Sequence, residues 1–295
     1  MPRTSWNELK NFRVFKPSSE AEQSRIAAVL DTVDEATAKT EAVIAKLRQV
    51  RAGLLHDLLT RGLDEHGQPR DPIAHPEQFK DSPLGRIPRE WEVMPIQQAA
   101  LDTPGATVIG PFGSNLLADD YRSKGVPVVF VRDIKADTFQ WNSGVYIEPQ
   151  KARELSAHSV EPGDQRATKM GLPPCIACPY PEWMPPGIVT ADIIRLRPDL
   201  RKTTARWLSI LVNSDAVARQ VRAITGGVTR PKVTLPDFRT LTIALPSLQE
   251  QQGIVSILDF HDTRIRAEET HRNKLEAIKR GLMHDLLTGR VRVPA

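Results

Sequence analysis

Two glycine-bearing loops and three short polar motifs hold the residues of this chain that could do chemistry. GPFGSN (residues 110–115) sets Ser114 and Asn115 at a loop tip, where glycines let backbone amides and short side chains approach a phosphate or a base edge. The bland reading is an ordinary turn. GGVTRPKV (226–233) groups Thr229, Arg230 and Lys232 around Pro231, which stiffens the loop and biases Arg230 towards an extended backbone. An arginine offers the two-pronged donor geometry that suits guanine or phosphate, and Lys232 adds a point charge. A solvated helix-to-strand loop is the alternative there.

Arg132-Asp133-Ile134-Lys135 contains the D-x-K fragment of a Mg²⁺-dependent nuclease, but no acidic ligand precedes it at a fitting place. Arg132 and Lys135, with Lys124 upstream, suit nucleic-acid contact at a strand end better than catalysis. Cys175 and Cys178 form a C-x-x-C with no second pair, and with His158 as nearest histidine one metal ligand would still be missing. They read as buried free thiols. The doublets His56-Asp57 and His284-Asp285 could suggest acid–base work, yet their repetition at one helical position favours a structural or subunit-contact role. GxxxxGK[ST], GxGxxG, N-P-P-Y or D-P-P-Y, G-x-S-x-G and H-E-x-x-H are all missing, so no catalytic or metal site is expected.

Composition sets wide bounds. A chain of 295 residues can bury a large core and hold two domains. The absence of a long apolar run and the polar opening MPRTSWNELKN predict neither a membrane span nor a signal peptide, and two cysteines cannot build a disulfide framework; a cytoplasmic location is expected. The net charge of +4 identifies no partner by itself. Its distribution is more informative, because residues 195–239 hold ten Lys or Arg against three Asp, the pattern of a phosphate-facing surface or of solvated helix faces.

What must position these loops is an internal repeat. Residues 22–63 recur, without a gap, as residues 250–291, sharing Glu22/Glu250, Leu30/Leu258, Asp31/Asp259, Asp34/Asp262, Leu47/Leu275, Gly53/Gly281 and the block HDLLT. In the first copy Ile26, Leu30, Val33, Thr37, Thr40, Ile44, Leu47, Arg51, Leu54 and Leu58 advance by alternating fours and threes, the seam of a coiled coil. The same register in the second copy gives Ile254, Leu258, His261, Ile265, Glu268, Arg272, Leu275, Lys279, Leu282 and Leu286. Helices of roughly 55–60 Å would leave such stripes wet alone, so the simplest partner for each is the other, packed antiparallel. Of these positions Ile26, Leu30, Ile44, Leu47, Leu54, Leu58, Ile254, Leu258, Leu275, Leu282 and Leu286 are the expected interface residues. Between the helices, prolines and short β-prone runs (126–132, 144–147, 187–197, 240–244), with a single helix over 204–225, predict a compact α+β domain of loops and short strands.

With those residues in view, the chain resembles the DNA specificity subunits of type I restriction–modification systems. The resemblance rests on DSPLGRIPREWEV (81–93), GPFGSNL, VPVVFVRDIK, GIVTADIIRLRPD (187–199), GGVTRPKV and the closing LPSLQEQQGIVSILD…KLEAIKRGLMHDLLTGRV, in the family's order over nearly the whole chain. It implies an α+β target recognition domain (64–247) between two long helices (20–63 and 248–291) that form an antiparallel coiled-coil spacer, with a short tail (292–295). Full-length members resemble recognition domain, helix, recognition domain, helix. Here FRVFKPSS, within the leading segment 1–19, echoes the TIALPSL ahead of the second helix, as the end of a preceding recognition domain would. The expectations are a half-length subunit that pairs with itself, or the remnant of a longer gene. Gln165 and Arg166 also depart from the family's apolar strand after Pro-Gly-Asp, which counts against good strand packing there, and the cysteine pair lies outside the family pattern.

The resemblance implies a non-catalytic subunit that reads one half of a bipartite site on double-stranded DNA through Ser114, Asn115, Lys124, Arg132, Lys135, Thr229, Arg230 and Lys232. It further implies docking of modification and restriction subunits, a homodimer through the repeat helices, and S-adenosylmethionine, ATP and Mg²⁺ on the partners rather than here. The rivals are an endonuclease or methyltransferase with an unrecognised active site, and a coiled-coil adaptor that does not touch DNA.

Overall fold

A computed structural model describes residues 5, 6, 10, 11, 15–17, 19–225 and 231–293. The chain divides into two compact units, one of residues up to His56 and from Ile257 onward, the other Asp57–Ser256.

The first unit is built from the two repeats. Helix α1 spans Glu20–Arg61 and its counterpart, the sixth α-helix of the described chain, spans Leu248–Leu287. The seam positions are buried or half-buried along both helices while their neighbours are mostly exposed, as the alternating spacing predicts. Two threonines sit in the seam because each returns its hydroxyl proton to its own helix, Thr37 to Val33 O (2.8 Å) and Thr40 to Ala36 O (2.9 Å). The pairing is antiparallel, since partner numbers fall as the chain number rises: Asp34 meets Lys279, Arg48 meets Glu269, and Arg51 grips Asp262 with both prongs. Two of these pairs are copies of one another. Asp34 and Asp262 are repeat equivalents, and so are Arg51 and Lys279, so one interaction is written twice across an approximate two-fold axis. At the unit's end Arg292 donates both prongs to the carboxylate of Glu22, each at 2.7 Å.

The second unit carries two four-stranded sheets. Its strands in chain order are β1 (Phe79–Ser82), β2 (Gly85–Pro88), β3 (Glu92–Pro95), β4 (Thr107–Ile109), β5 (Val126–Val129), β6 (Ile134–Lys135), β7 (Thr138–Phe139), β8 (Tyr146–Ile147), β9 (Ser159–Val160), β10 (Gln165–Thr168), β11 (Ala177–Pro179), β12 (Gly187–Val189), β13 (Ile193–Leu196) and β14 (Thr242–Leu245). One sheet has the order β11-β10-β13-β4 and is antiparallel. The other is β8-β5-β12-β9, and within it β5 and β12 run parallel. Val129, Val160, Tyr180, Val189 and Ile193 belong to one buried core cluster.

Several expectations change here. The β-prone run 187–197 is two strands in different sheets, because residues 190–192 carry the chain from one sheet to the other. The single helix expected over 204–225 is two, α3 (Ala205–Val212) and α4 (Asp215–Ile224). Asn213 breaks it by bonding edge strand β11 through its side chain, accepting from Ala177 N (2.9 Å) and donating to Ala177 O (2.8 Å). Ser214 then caps α4. The remaining helices are α2 (Pro149–Glu154), which precedes α3 in the chain, α5 (Leu235–Thr240) and α6, the second repeat helix.

Gln165 and Arg166 do not spoil their strand. All four residues of β10 are buried in the centre of the antiparallel sheet. Arg166 is fully buried because its guanidinium lies 4.4 Å from the Phe139 ring and 4.6 Å from the Tyr180 ring, and it donates to Pro179 O and Cys178 Sγ. Burial weakens its hold on the proton relative to an ordinary arginine. The aromatic faces and the carbonyl substitute for the water the side chain has lost.

Cys175 and Cys178 are free and buried, as the isolated C-x-x-C suggests. Burial pushes the Cys175 thiol up to about 12 and raises that of Cys178 as well. The thiolate is the reactive form, so the native protein is expected to leave both thiols unlabelled by Ellman's reagent at pH 8, with both reacting once guanidinium unfolds it. Rapid labelling of either in the native state would contradict this burial.

Candidate nucleic-acid interface

The site grows from the parallel pair. β5 and β12 point the same way, so the segments leaving their C-terminal ends, residues 130–133 and 190–192, emerge side by side. That is where open sheets with parallel strands form crevices, at a change in strand connection. Thr190 N donates to Val129 O (3.1 Å) and holds the two exits together. The loop after β4 closes the third side. Gly110 packs so tightly that a Cβ on it would lie 2.2 Å from Val189 O and from the Thr190 carbonyl carbon, so no larger residue fits without moving the loop. Pro111, Gly113, Leu116, Tyr121, Phe130, Val131, Arg132, Thr190, Ala191 and Asp192 line the resulting cleft of about 380 Å³.

Its chemistry is mixed. Arg132 is exposed and stacks 4.3 Å from the centroid of Phe130, whose other neighbour is Tyr121 in an edge-on contact at 5.8 Å. Phe112 projects outward from the GPFGSN loop at 56% exposure, with the Lys169 ammonium 4.7 Å over its ring. Asp192 is exposed in the cleft wall, its backbone carbonyl accepting from Lys169 N (2.7 Å). Asp133, by contrast, is fully buried and saturated by Phe130 N, Asn142 N and the Ser143 hydroxyl. It therefore holds the turn and is not poised to bind a metal. Among the described residues no group of three or more His, Cys, Asp or Glu could hold a metal ion.

The residues expected to face nucleic acid scatter between two places. Arg132 lines the cleft, and Ser114 and exposed Asn115 follow its lining residue Gly113 in the Gly113–Asn115 turn, Asn115 without lining the cleft itself. Lys135 and Lys232 are exposed but flank a different, apolar cavity of about 410 Å³, whose lining includes their neighbours Ala136 and Pro231. Lys232 also bridges to Met170, next to Lys169. Lys124 is exposed in the turn ahead of β5 and lines neither. Thr229 and Arg230 lie outside the described residues.

The basic run 195–239 is divided: Arg201, Lys202, Arg219, Arg222 and Lys232 are exposed, whereas Arg195 is buried and Arg197, Arg206 and Arg239 are half-buried, and several of its arginines bond within the fold. Arg195 donates to Gly105 O (2.9 Å) and Ser159 O (3.1 Å), Arg197 grips Asp164, Arg201 pairs with Asp199, Arg206 with Asp137, and Arg239 donates to Thr107 O. Counting charge along the chain does not separate the two groups, because the run holds the end of β13 and the starts of three helices, α3, α4 and α5, and some of its arginines tie neighbouring carbonyls and carboxylates together. Phe112, Phe130, Lys169 and Asp192 escaped notice in turn. Asp192 alone leaves a legible trace, the polar T-A-D that interrupts the apolar GIV…IIRL, a signal of chain reversal inside what reads as a single strand.

The described chain thus combines two parts, sheets that expose a mixed-charge, aromatic cleft and a unit of paired repeat helices. Comparison narrows the class. Residues 187–277, from β12 into α6, match the family described as the type I restriction modification DNA specificity domain. The type I restriction enzyme MjaVIII specificity subunit of Methanocaldococcus jannaschii is 22% identical over 99% of this chain and 65% of its own length. The chain thus spans just under two thirds of that relative. Two solved structures share the fold: the S subunit of a type I restriction–modification system from M. genitalium (TM-score 0.55, 17% identity, 92% of this chain and 62% of that one) and the HsdS subunit from Thermoanaerobacter tengcongensis (TM-score 0.53, 16% identity, 91% and 57%). The chain is thus similar over nearly its whole length to type I restriction enzyme specificity subunits, and part of it matches their DNA specificity domain. Among the described residues no helix is long and apolar enough to cross a membrane.

Proposed function

We propose that this chain is the DNA-reading subunit of a type I restriction–modification complex, that it reads one half of a bipartite duplex site, and that it has no catalytic centre of its own. The observation that carries the reading is the join of two features: a DNA specificity domain match that begins at β12 and includes the 190–192 cleft wall, and a helical unit braced by repeat-related ion pairs. Reading two half-sites at a set separation needs a stiff spacer, and paired helices supply one where a flexible linker would blur the distance. Modification and restriction subunits would dock on the helices and bring S-adenosylmethionine, ATP and Mg²⁺. Two copies joined with two-fold symmetry would read a split palindrome.

The test is the methylome of a clean host that expresses the chain with its neighbouring modification subunit. A new split palindrome supports the homodimeric reading, and an asymmetric split site means that a different second recognition domain is supplied. No new methylation from a complex shown to assemble overturns the proposal.

A further inference from the structure

We propose that Arg132 and Asp192 are a specificity-determining pair that reads a C·G base pair, Arg132 through guanine and Asp192 through cytosine. The inference rests on the DNA-reading function proposed above and deepens it by naming bases.

The argument starts from a misfit. Arg132, with Lys169 beside the cleft, is the kind of residue a phosphate-facing surface carries, yet Asp192 is exposed in the same cleft's wall. No side-chain hydrogen bond or ion pair engages the Asp192 carboxylate among the described residues, so it is not there to hold the fold. Left idle it would repel the phosphates that its neighbours attract. A carboxylate facing duplex DNA can accept a hydrogen bond from an exocyclic amine, and cytosine N4 is the base-edge donor that acidic side chains match in the major groove.

Arg132 supplies the complementary half. Its guanidinium sits 4.3 Å over the Phe130 ring, a cation–π contact that holds the exposed side chain in place without using up its N–H donors. A fork held this way suits guanine O6 and N7. Both side chains sit on the exits of neighbouring parallel strands, β5 and β12, and the exits are tied by the Thr190–Val129 hydrogen bond. The donor and the acceptor therefore face one cleft from a rigid base, as reading a single base pair or two adjacent ones requires.

The experiment is selection from a random duplex library by the full chain assembled with its modification subunit, followed by the same selection with Asp192→Ala, Asp192→Asn and Arg132→Lys. The wild type should enrich a half-site that contains a C·G pair. Asp192→Ala should flatten that position, with a loss of roughly 5- to 150-fold in discrimination, leave the other positions intact and hold or tighten non-specific binding. Asp192→Asn should move the preference towards adenine, and Arg132→Lys should weaken guanine preference while keeping charge. Melting of the Asp192 variants should match the wild type, since the side chain is exposed and makes no side-chain bond among the described residues. A half-site without a C·G pair, or one that Asp192→Ala leaves unchanged, overturns the inference while DNA reading stands. Enrichment of nothing by the wild-type assembly overturns both.

Discussion

Replacing Asp164 with alanine is expected to cost about 3–5 kcal/mol of folding stability, seen as a fall in the urea midpoint with an unchanged slope. Asp164 follows Gly163, which turns the chain at φ 87°, and its side chain is buried. One oxygen caps the turn by accepting from Glu161 N (2.9 Å), and Arg197 grips the carboxylate with both prongs at 3.0 and 3.2 Å. The Arg195 guanidinium, itself buried, lies 4.0 Å away. Burial makes Arg195 a weaker base than usual and Asp164 opposes that shift, while the hydrogen bond to Asp164 strengthens Arg197. Alanine would leave Arg195 charged in the core with backbone carbonyls alone, the case in which breaking a buried pair is most damaging. Against a typical total of about 5–15 kcal/mol the loss is large. Asp164→Asn keeps the turn cap and removes only the charge, so it should fall between. If Asp164→Ala unfolded at the wild-type midpoint, the carboxylate would not be what compensates Arg195.

The two parts of the molecule were unequally legible, for a physical reason. The helices could be read from periodicity because a seam repeats its demand at every turn, and even the threonines and the arginine within it keep register: Thr40 bonds its own backbone and Arg51 meets Asp262. The sheet domain makes demands that do not repeat. Arg166 looks like a strand breaker in sequence, and only the rings of Phe139 and Tyr180, brought to it from elsewhere in the chain, turn it into a core residue. At the candidate site the loop carrying Ser114 and Asn115 and the position of Arg132 were visible as motifs. Asp192 was not, because its meaning depends on the chain leaving one sheet for the other at residues 190–192. Lys124 has the right charge but lies in the turn ahead of β5, away from the cleft.

The repeat also makes unequal predictions at its two starts. Ser19 and Ser247 occupy equivalent places ahead of the helices, and each accepts from the backbone N–H of the glutamate three residues on, Glu22 (3.4 Å) and Glu250 (3.2 Å). The glutamates are matched as well, since each is gripped by an arginine that follows the other helix, Arg292 for Glu22 and Arg70 for Glu250. Their surroundings differ. Glu250 Oε1 also accepts from Leu63 N (2.8 Å) and from the indole of buried Trp91 (3.1 Å), and the Arg70 side chain is only 11% exposed. Glu250→Ala would strand three donors at once and is expected to destabilise the second unit by about 3 kcal/mol. Arg292 is 60% exposed, so water takes up its charge when Glu22 is removed, and Glu22→Ala should lower the urea midpoint far less. Gly62 sharpens the contrast: it ends α1 at φ 63°, and a Cβ there would lie 2.2 Å from Glu250 Oε1, so Gly62→Ala should reproduce much of the Glu250→Ala loss. Equal midpoints for Glu22→Ala and Glu250→Ala would mean that the shared cap, and not the added burial around Glu250, sets the stability of these helix starts.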